Sequence, residues 1–249
     1  MLIRALLLCL ALALPAQAEQ VVAGLSQTRV SITTNFAGSE ILIFGAVKRE
    51  APLPEGTPLN VVVTVAGPST PVTVRRKARR LGIWVNTDAV EIASAPSFYA
   101  VASTAPLELA LSQAEDDRHK VSIPKAIHAA GTDAATAEFT EALIRIRRNT
   151  DLYQMLPYAV SLREETLFRT SIALPANLHE GDYTTRIFLT RGGAVVDSYE
   201  TTIGVRKVGL ERWVYTLAHQ HPLIYGLLSL AIAIAAGWGA SAIFRMVRG

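Results

Sequence analysis

Arg75-Arg76-Lys77-Ala78-Arg79-Arg80 puts five cations into six residues, the one local concentration of charge in the chain. Such a run can meet anionic headgroups, an acidic partner or an anionic ligand. A solvated edge strand that uses charge to discourage aggregation would carry the same residues. Strand alternation sends Arg76 and Ala78 to one face and Arg75, Lys77 and Arg79 to the other, so the run does not by itself make one flat basic patch.

The other reactive residue types are scattered. His219 and His221 form the one close histidine pair. An i, i+2 spacing on a helix points them to different sides, which suits a wet membrane surface better than a metal site. Glu115-Asp116-Asp117, beside Arg118-His119, reads as a solvated loop; a cation site there would need ligands from elsewhere. The sequence holds no Gly-x-Ser-x-Gly elbow, no phosphate-cradling glycine loop and no His-Glu-x-x-His. No catalytic residue, metal ligand or cofactor is therefore assigned, and the chain reads as non-enzymatic.

Two apolar runs bracket these residues. Leu2 to Leu14 carries one early charge, Arg4, and ends at Ala16-Gln17-Ala18. It is too short to span a bilayer and has the form of a cleaved secretory signal peptide over residues 1–18. Pro222 to Phe244 contains no charged side chain. At 1.5 Å per residue it is long enough for the ~30 Å hydrocarbon core. Ala233, Gly237 and Ser241 recur on it at spacing four, as small residues do where helices pack closely in membranes; a pure anchor would tolerate them too. Leu210, Trp213, Val214, Leu217 and Ala218 form an apolar stripe just before the span, with Tyr215 nearby, as in an interfacial helix.

The single cysteine is Cys9, inside the first run. Leu8 precedes it where a lipoprotein signal needs a small residue. Cleavage after Ala18 would leave a chain without disulfide, thiolate site or cysteine nucleophile. The formal net charge is +3, and loss of Arg4 leaves +2. That is too little to indicate nucleic acid despite the basic pI.

The region between the runs is mostly strand-like. Arg29 to Thr33 and Ile41 to Val47 read as a hairpin whose second strand is the more buried. Pro52, Pro54, Gly56 and Pro58 form a turn-rich link to Leu59–Val65, and shorter strands follow at 72–76, 82–86 and 97–102. Residues 106 to 153 turn helical, with a break at Ser122 to Pro124. The clearest helix is expected from Ala134 to Tyr153, capped by Asp133 and carrying Phe139, Leu143 and Ile146 as its apolar stripe. Strands return at 168–174, 184–190 and 195–205. Gly181-Asp182-Tyr183 matches the tyrosine corner of immunoglobulin-like sandwiches, whose phenol bonds to upstream backbone.

The expected fold is thus mainly β: an immunoglobulin-like β-sandwich with a helical insertion, exported, plus one C-terminal transmembrane helix. The segments are a signal peptide at 1–18, β-rich regions at 19–104 and 158–207, the helical insertion at 105–157, an interfacial helix at 208–221 and the transmembrane helix at 222–246.

With these landmarks placed, the chain resembles a family of alphaproteobacterial transmembrane proteins of unknown function. The resemblance rests on Val21-Val22-Ala23-Gly24-Leu25-Ser26 with Val30-Ser31-Ile32, Gly38 to Ala46, Gly82-Ile83-Trp84-Val85-Asn86 and Pro96 to Thr104. Leu174-Pro175-Ala176-Asn177, Gly181-x-Tyr183 and Leu223-x-Tyr225-Gly226 complete it. It implies an exported domain on a single C-terminal span and supplies no reaction and no site residue. It also colours the partner expectation toward a multi-pass anion exporter.

The reading is a single-pass inner-membrane protein with a periplasmic domain and a short cytoplasmic C-terminus. Its job would be that of an accessory or interaction subunit of a membrane complex, transporters included. The alternative is a periplasmic module that binds or senses an anionic ligand, of unspecified identity, through Arg75, Arg76, Lys77, Arg79 and Arg80. Processing is directly checkable: N-terminal sequencing of membrane-extracted protein should begin at Glu19, and retention of Met1 would remove the topology argument.

Overall fold

The computed structural model describes residues 19–33, 36–49, 57–129, 131, 133–207 and 210–248. The expected signal peptide, and Pro52, Pro54 and Gly56 of the expected link, lie outside the described residues. The chain forms two compact units, Met1–Val30 with Ala37–Val205, and Ser31–Phe36 with Arg206–Gly249.

Twelve strands are described: β1 (Glu19–Leu25), β2 (Arg29–Ile32), β3 (Ser39–Arg49), β4 (Leu59–Ala66), β5 (Ser69–Arg80), β6 (Ile83–Pro96), β7 (Tyr99–Ser103), β8 (Tyr153–Leu156), β9 (Ser161–Arg163), β10 (Leu167–Leu174), β11 (Gly181–Arg191) and β12 (Ala194–Lys207). Between β7 and β8 lie α1 (Leu107–Ala110), α2 (Gln113–His119), α3 (Ile123–Ala126) and α4 (Ala134–Arg148). Sheet A has the order β1-β3-β10-β9 and sheet B the order β2-β12-β11-β4-β7-β8, and among the described residues β5 pairs with β6 alone.

The two sheets make a sandwich, as the alternating pattern predicts. On β10, Phe168, Thr170, Ile172 and Leu174 are buried while the residues between them are exposed. Ile41 and Ile43 of β3 point the same way, toward Val61, Val63 and Val65 of β4 and Ile187 and Leu189 of β11. Tyr183 makes the expected corner: its hydroxyl donates to the His179 carbonyl at 2.8 Å.

The central strands of sheet B, β4, β7 and β11, are buried on both faces. Val62, Tyr99, Val101 and Phe188 turn away from sheet A into a second cluster with Ala110, Val121, Ile123, Phe139 and Leu143 of the helical insertion. Polar bonds fix that layer. The Tyr99 hydroxyl donates to the Val121 carbonyl at 2.8 Å, Arg186 donates to the His119 carbonyl at 2.7 Å, and the Thr190 hydroxyl donates to the Ala110 carbonyl at 2.5 Å. Burial pushes the Tyr99 phenol up to about 12, against the opposing influence of Arg186, so it remains a donor at physiological pH.

Several local expectations are corrected. Arg29–Ile32 and Ser39–Arg49 do not form a hairpin; β2 lies beside β12 in sheet B, whereas β3 pairs with β1 and β10 in sheet A. Strand β3 is buried on one face only, because Leu42 and Phe44 point outward. Helix α4 starts where Asp133 accepts from the Thr136 amide at 3.3 Å, but it ends at Arg148, and Tyr153 opens β8. Phe139 and Leu143 are buried, yet Ile146 is exposed, so the apolar stripe stops a turn early. Residues 115–119 form a helix rather than a loop. There Asp116 accepts from the Val121 and Ser122 amides at 3.0 and 2.7 Å, and Glu115 pairs with Arg118 and His119. The acidic cluster is thereby engaged in local structure.

The sandwich carries one buried ionic cluster. Glu19 on β1 accepts from Arg49 on β3 at 2.9 Å and from Arg191 on β11 at 2.7 Å, which ties sheet A to sheet B. Arg49 also donates to the Glu165 carbonyl, and Arg191 to the Thr57 carbonyl. Nearby, Asp197 on β12 accepts the Val21 amide at 2.6 Å. Burial of Glu19 opposes ionisation, but hydrogen bonds from Arg191 and Arg49 and their charges outweigh it, holding the carboxyl below its usual range.

The second unit carries α5 (Leu210–Gln220) and α6 (Pro222–Arg248). Residues Pro222–Ser241 of α6 are long and apolar enough to cross a membrane.

A carboxyl with a depressed folded-state pKa stabilises the fold fully above its unfolded value, ~4.3, and loses that contribution as pH falls through the lower folded value. Glu19→Gln should destabilise the domain by about 3 kcal/mol at neutral pH, because two part-buried guanidinium groups lose their counter-charge. Thermal melts of the intact chain in detergent should also show a smaller loss of stability between neutral pH and pH ~3 for the variant than for wild type. Equal pH profiles would deny Glu19 this role.

Candidate interaction surfaces

The cationic run forms the outer half of β5. Its pairing with β6 is antiparallel, with Arg76 opposite Asp88, Lys77 opposite Asn86, Ala78 opposite Val85, Arg79 opposite Trp84 and Arg80 opposite Ile83. Residues directly opposite share a face. Arg76, Ala78 and Arg80 therefore lie with Val85 and Ile83, while Arg75, Lys77 and Arg79 lie with Ala89, Asn86 and Trp84, the division that alternation predicts. No residue from Arg75 to Ala89 is buried, so this half of the hairpin is an arm standing clear of the core.

The inner half is rooted. Val74, Ile92 and Ala95 belong to the cluster that includes Phe139 and Leu143 of α4. Ser94 and His128 exchange backbone hydrogen bonds at 2.8 and 3.0 Å. Arg76 pairs with Glu138 at 2.5 Å, and its guanidinium lies 5.1 Å from the centre of the Phe139 ring. Among the described residues Arg75, Lys77, Arg79 and Arg80 form no ion pair. A groove of about 270 Å³ between β5 and α4 is lined by Arg75, Arg76 and Arg145 together with Glu138 and Glu141. Its charge is mixed, and Arg76 is already neutralised within it.

The arm ends in Leu81 and Gly82, both with positive φ, at 49° and 87°. Two positive φ values are what a tight two-residue hairpin turn requires, and asparagine or glycine fills the first position readily. A leucine there costs about 1–2 kcal/mol of steric strain. Leu81 is 105% exposed, Ile83 64% and Trp84 68%. Sequence patterning places the strands on either side but misses this apolar tip, because Leu-Gly is not a turn signal.

The second surface is the outer face of sheet A. The register aligns Val22, Ala46 and Leu167 in one cross-strand row and Gly24, Phe44 and Arg169 in the next. Val22 is 57% exposed, Phe44 45% and Leu167 58%. They border a shallow trough of about 590 Å³ that also includes Ser161 and Arg163. A Cβ on Gly24 would touch the Phe44 ring at 3.4 Å, whereas one on Gly45 would point inward, 2.6 Å from the buried Phe168 ring. The signal was in the alternation of β3, where Leu42 and Phe44 fall opposite Ile41 and Ile43.

On α6, Ala233, Gly237 and Ser241 are exposed, and a Cβ on Gly237 would meet nothing within 4 Å. On α5, the His219 ring stacks on Tyr215 at 4.0 Å, and its Nδ1 lies 2.9 Å from the Tyr215 carbonyl oxygen. Among the described residues no three His, Cys, Asp or Glu side chains come together as metal ligands would.

No curated protein matches the chain. Among solved structures, Spo0M, a sporulation control protein from Bacillus subtilis, aligns with 76% of this chain at 11% identity and a TM-score of 0.26. The chain spans about half of that protein, 49% of its length, and a likeness at that score carries no argument. A family model described as "Putative transmembrane protein (Alph_Pro_TM)" matches residues 20–246, and the chain belongs to that family.

Proposed function

We propose that this chain is a non-enzymatic accessory subunit of a membrane complex. It would be anchored in the inner membrane by α6, with its β domain on the periplasmic side and a short cytoplasmic C-terminus. The observation that carries this reading is the outer face of sheet A. Contiguous exposed apolar surface on a soluble domain is unfavourable in water and marks an interaction site. Val22, Phe44 and Leu167 form such a face beside the guanidinium groups of Arg163 and Arg169. An apolar centre with an arginine rim suits a protein partner. A multi-pass transporter is a fitting host, since this chain carries a membrane span of its own.

Export is supported by the charged, apolar and small-residue order of residues 1–18. The orientation then follows from that leader, which puts Arg245 and Arg248 on the cytoplasmic side; flanking charge does not decide it, because Arg206, Lys207 and Arg212 crowd the other flank of the span. The rival reading, a periplasmic module for an anionic ligand, is weakened by Glu138 and Glu141 in the groove beside Arg75 and Arg76.

Two outcomes are expected. Phe44→Ser combined with Leu167→Ser should reduce recovery of co-purifying membrane proteins in mild detergent by about tenfold, the effect of losing a modest interface anchor. Thermal stability should stay within about 0.5 kcal/mol of wild type, because both side chains are exposed. Undiminished recovery would reject sheet A as the docking face.

The span gives the second. If its small-residue face also packs on a partner helix, Gly237→Leu should lower recovery while membrane insertion persists, and Gly226→Leu should not. Among the described residues a Cβ at either position meets nothing within 4 Å, so a loss would report on a partner. Equal recovery of both variants would leave the span as an anchor alone.

A further inference from the structure

We propose that the tip of the β5–β6 arm is a second, reversible membrane contact, in which Leu81, Ile83 and Trp84 enter the interface of an anionic bilayer and the flanking cations bind its headgroups. The proposal is independent of the partner assigned to sheet A.

Three observations converge on it. The first is the order of chemistry along the arm. The apolar residues are at the end, and Arg79, Arg80 and Lys77 stand within about 3–14 Å behind it at ~3.3 Å per residue. A bilayer entered from water presents the same order, phosphates first and acyl chains below. Tryptophan also favours that boundary. The second is charge. From Arg75 to Asn86 there are five cations and no acid, and four of the five form no ion pair among the described residues. Basic residues beside an anionic lipid surface each add to binding.

The third is Leu81. It is fully exposed and held at a positive φ of 49° where asparagine would be at ease. Both features are unfavourable in water, and an apolar phase at the tip relieves the exposure. Cations that merely guard an edge strand would call for a polar tip, which this arm lacks. The membrane is already at hand, because the chain carries its own spanning helix. The root of the arm is joined to the helical insertion by the pair of Arg76 with Glu138 and by the backbone bonds between Ser94 and His128.

The test uses the full-length chain in lipid nanodiscs. The tryptophans are Trp84, Trp213 and Trp238. Replacing Trp213 and Trp238 by Phe leaves Trp84 as the sole reporter. Discs of phosphatidylcholine are compared with discs containing one part phosphatidylglycerol to three, each with and without brominated acyl chains. Anionic vesicles of the same brominated lipid are added in a separate arm to detect contact with an opposing membrane. Trp84 emission should shift to the blue and be quenched by bromine only with phosphatidylglycerol, in the disc or in the added vesicles. Molar salt should reverse it by shortening the screening length to ~3 Å. Replacing Arg75, Lys77, Arg79 and Arg80 by Gln should weaken the anionic contact by about three orders of magnitude.

Leu81→Asn separates insertion from folding. It should leave the melting temperature unchanged or raised, since it relieves the turn, and yet diminish the quenching. Water-like Trp84 emission without quenching in every lipid would overturn the proposal. So would a blue shift that is indifferent to phosphatidylglycerol and grows with the number of chains per disc, which would assign the tip to a second copy of the protein.

Discussion

A strand with large apolar residues on both faces must be covered twice, and the domain is built around that constraint. Val61, Val63 and Val65 of β4 face sheet A, while Val62 faces the helices; Ile187 and Phe188 divide the same way on β11. Each fully buried side chain of this size contributes roughly 1.5–3 kcal/mol. Exposing either face of sheet B would forfeit several of them. The helical insertion therefore completes the core, and the bonds from Tyr99, Arg186 and Thr190 into helix-region carbonyls hold it there.

Sheet A is covered once. Its inner face supplies Ile41, Ile43, Phe168 and Ile172 to the sandwich, and its outer face leaves Val22, Phe44 and Leu167 in solvent. The difference between the two sheets is what gives the domain an unsatisfied apolar surface. The Glu19 cluster matters to this surface indirectly, because it fixes β1 and β3, which carry Val22 and Phe44, against β11. The arm is a separate device, rooted by α4 and ending in apolar residues of its own. Both point outward from a domain whose chain also carries a membrane span.

Local chemistry was legible in the sequence, and long-range pairing was not. Alternation placed β10 and its buried face, and Gly181-Asp182-Tyr183 foretold the hydroxyl bond to His179, because both are set within a few residues. The division of the basic run between two faces of β5 was read correctly for the same reason. Residues 29–47 do not pair as a hairpin because β3 takes β1 and β10 as partners, and pairing with β10, more than a hundred residues away, has no local signature. Strand β1 and its Glu19 were missed: the arginines that hold this carboxylate lie 30 and 172 residues away. Tyr153 was assigned to a helix, but its hydroxyl donates to the Pro96 carbonyl at 2.9 Å and its strand runs parallel to β7, neither of which has a local signature.

The most direct measurement of the central claim asks whether the outer face of sheet A is covered in the native membrane. The only cysteine in the sequence is Cys9, ahead of the described residues, so single cysteines can be introduced at Phe44, Leu167 and, as an exposed control on the helical insertion, Glu108. A membrane-impermeant maleimide would be applied to spheroplasts and to the purified protein. The account predicts that all three label readily in the purified protein, and that Phe44 and Leu167 positions, but not the Glu108 position, are protected in spheroplasts. Equal labelling of all three in both settings would contradict it.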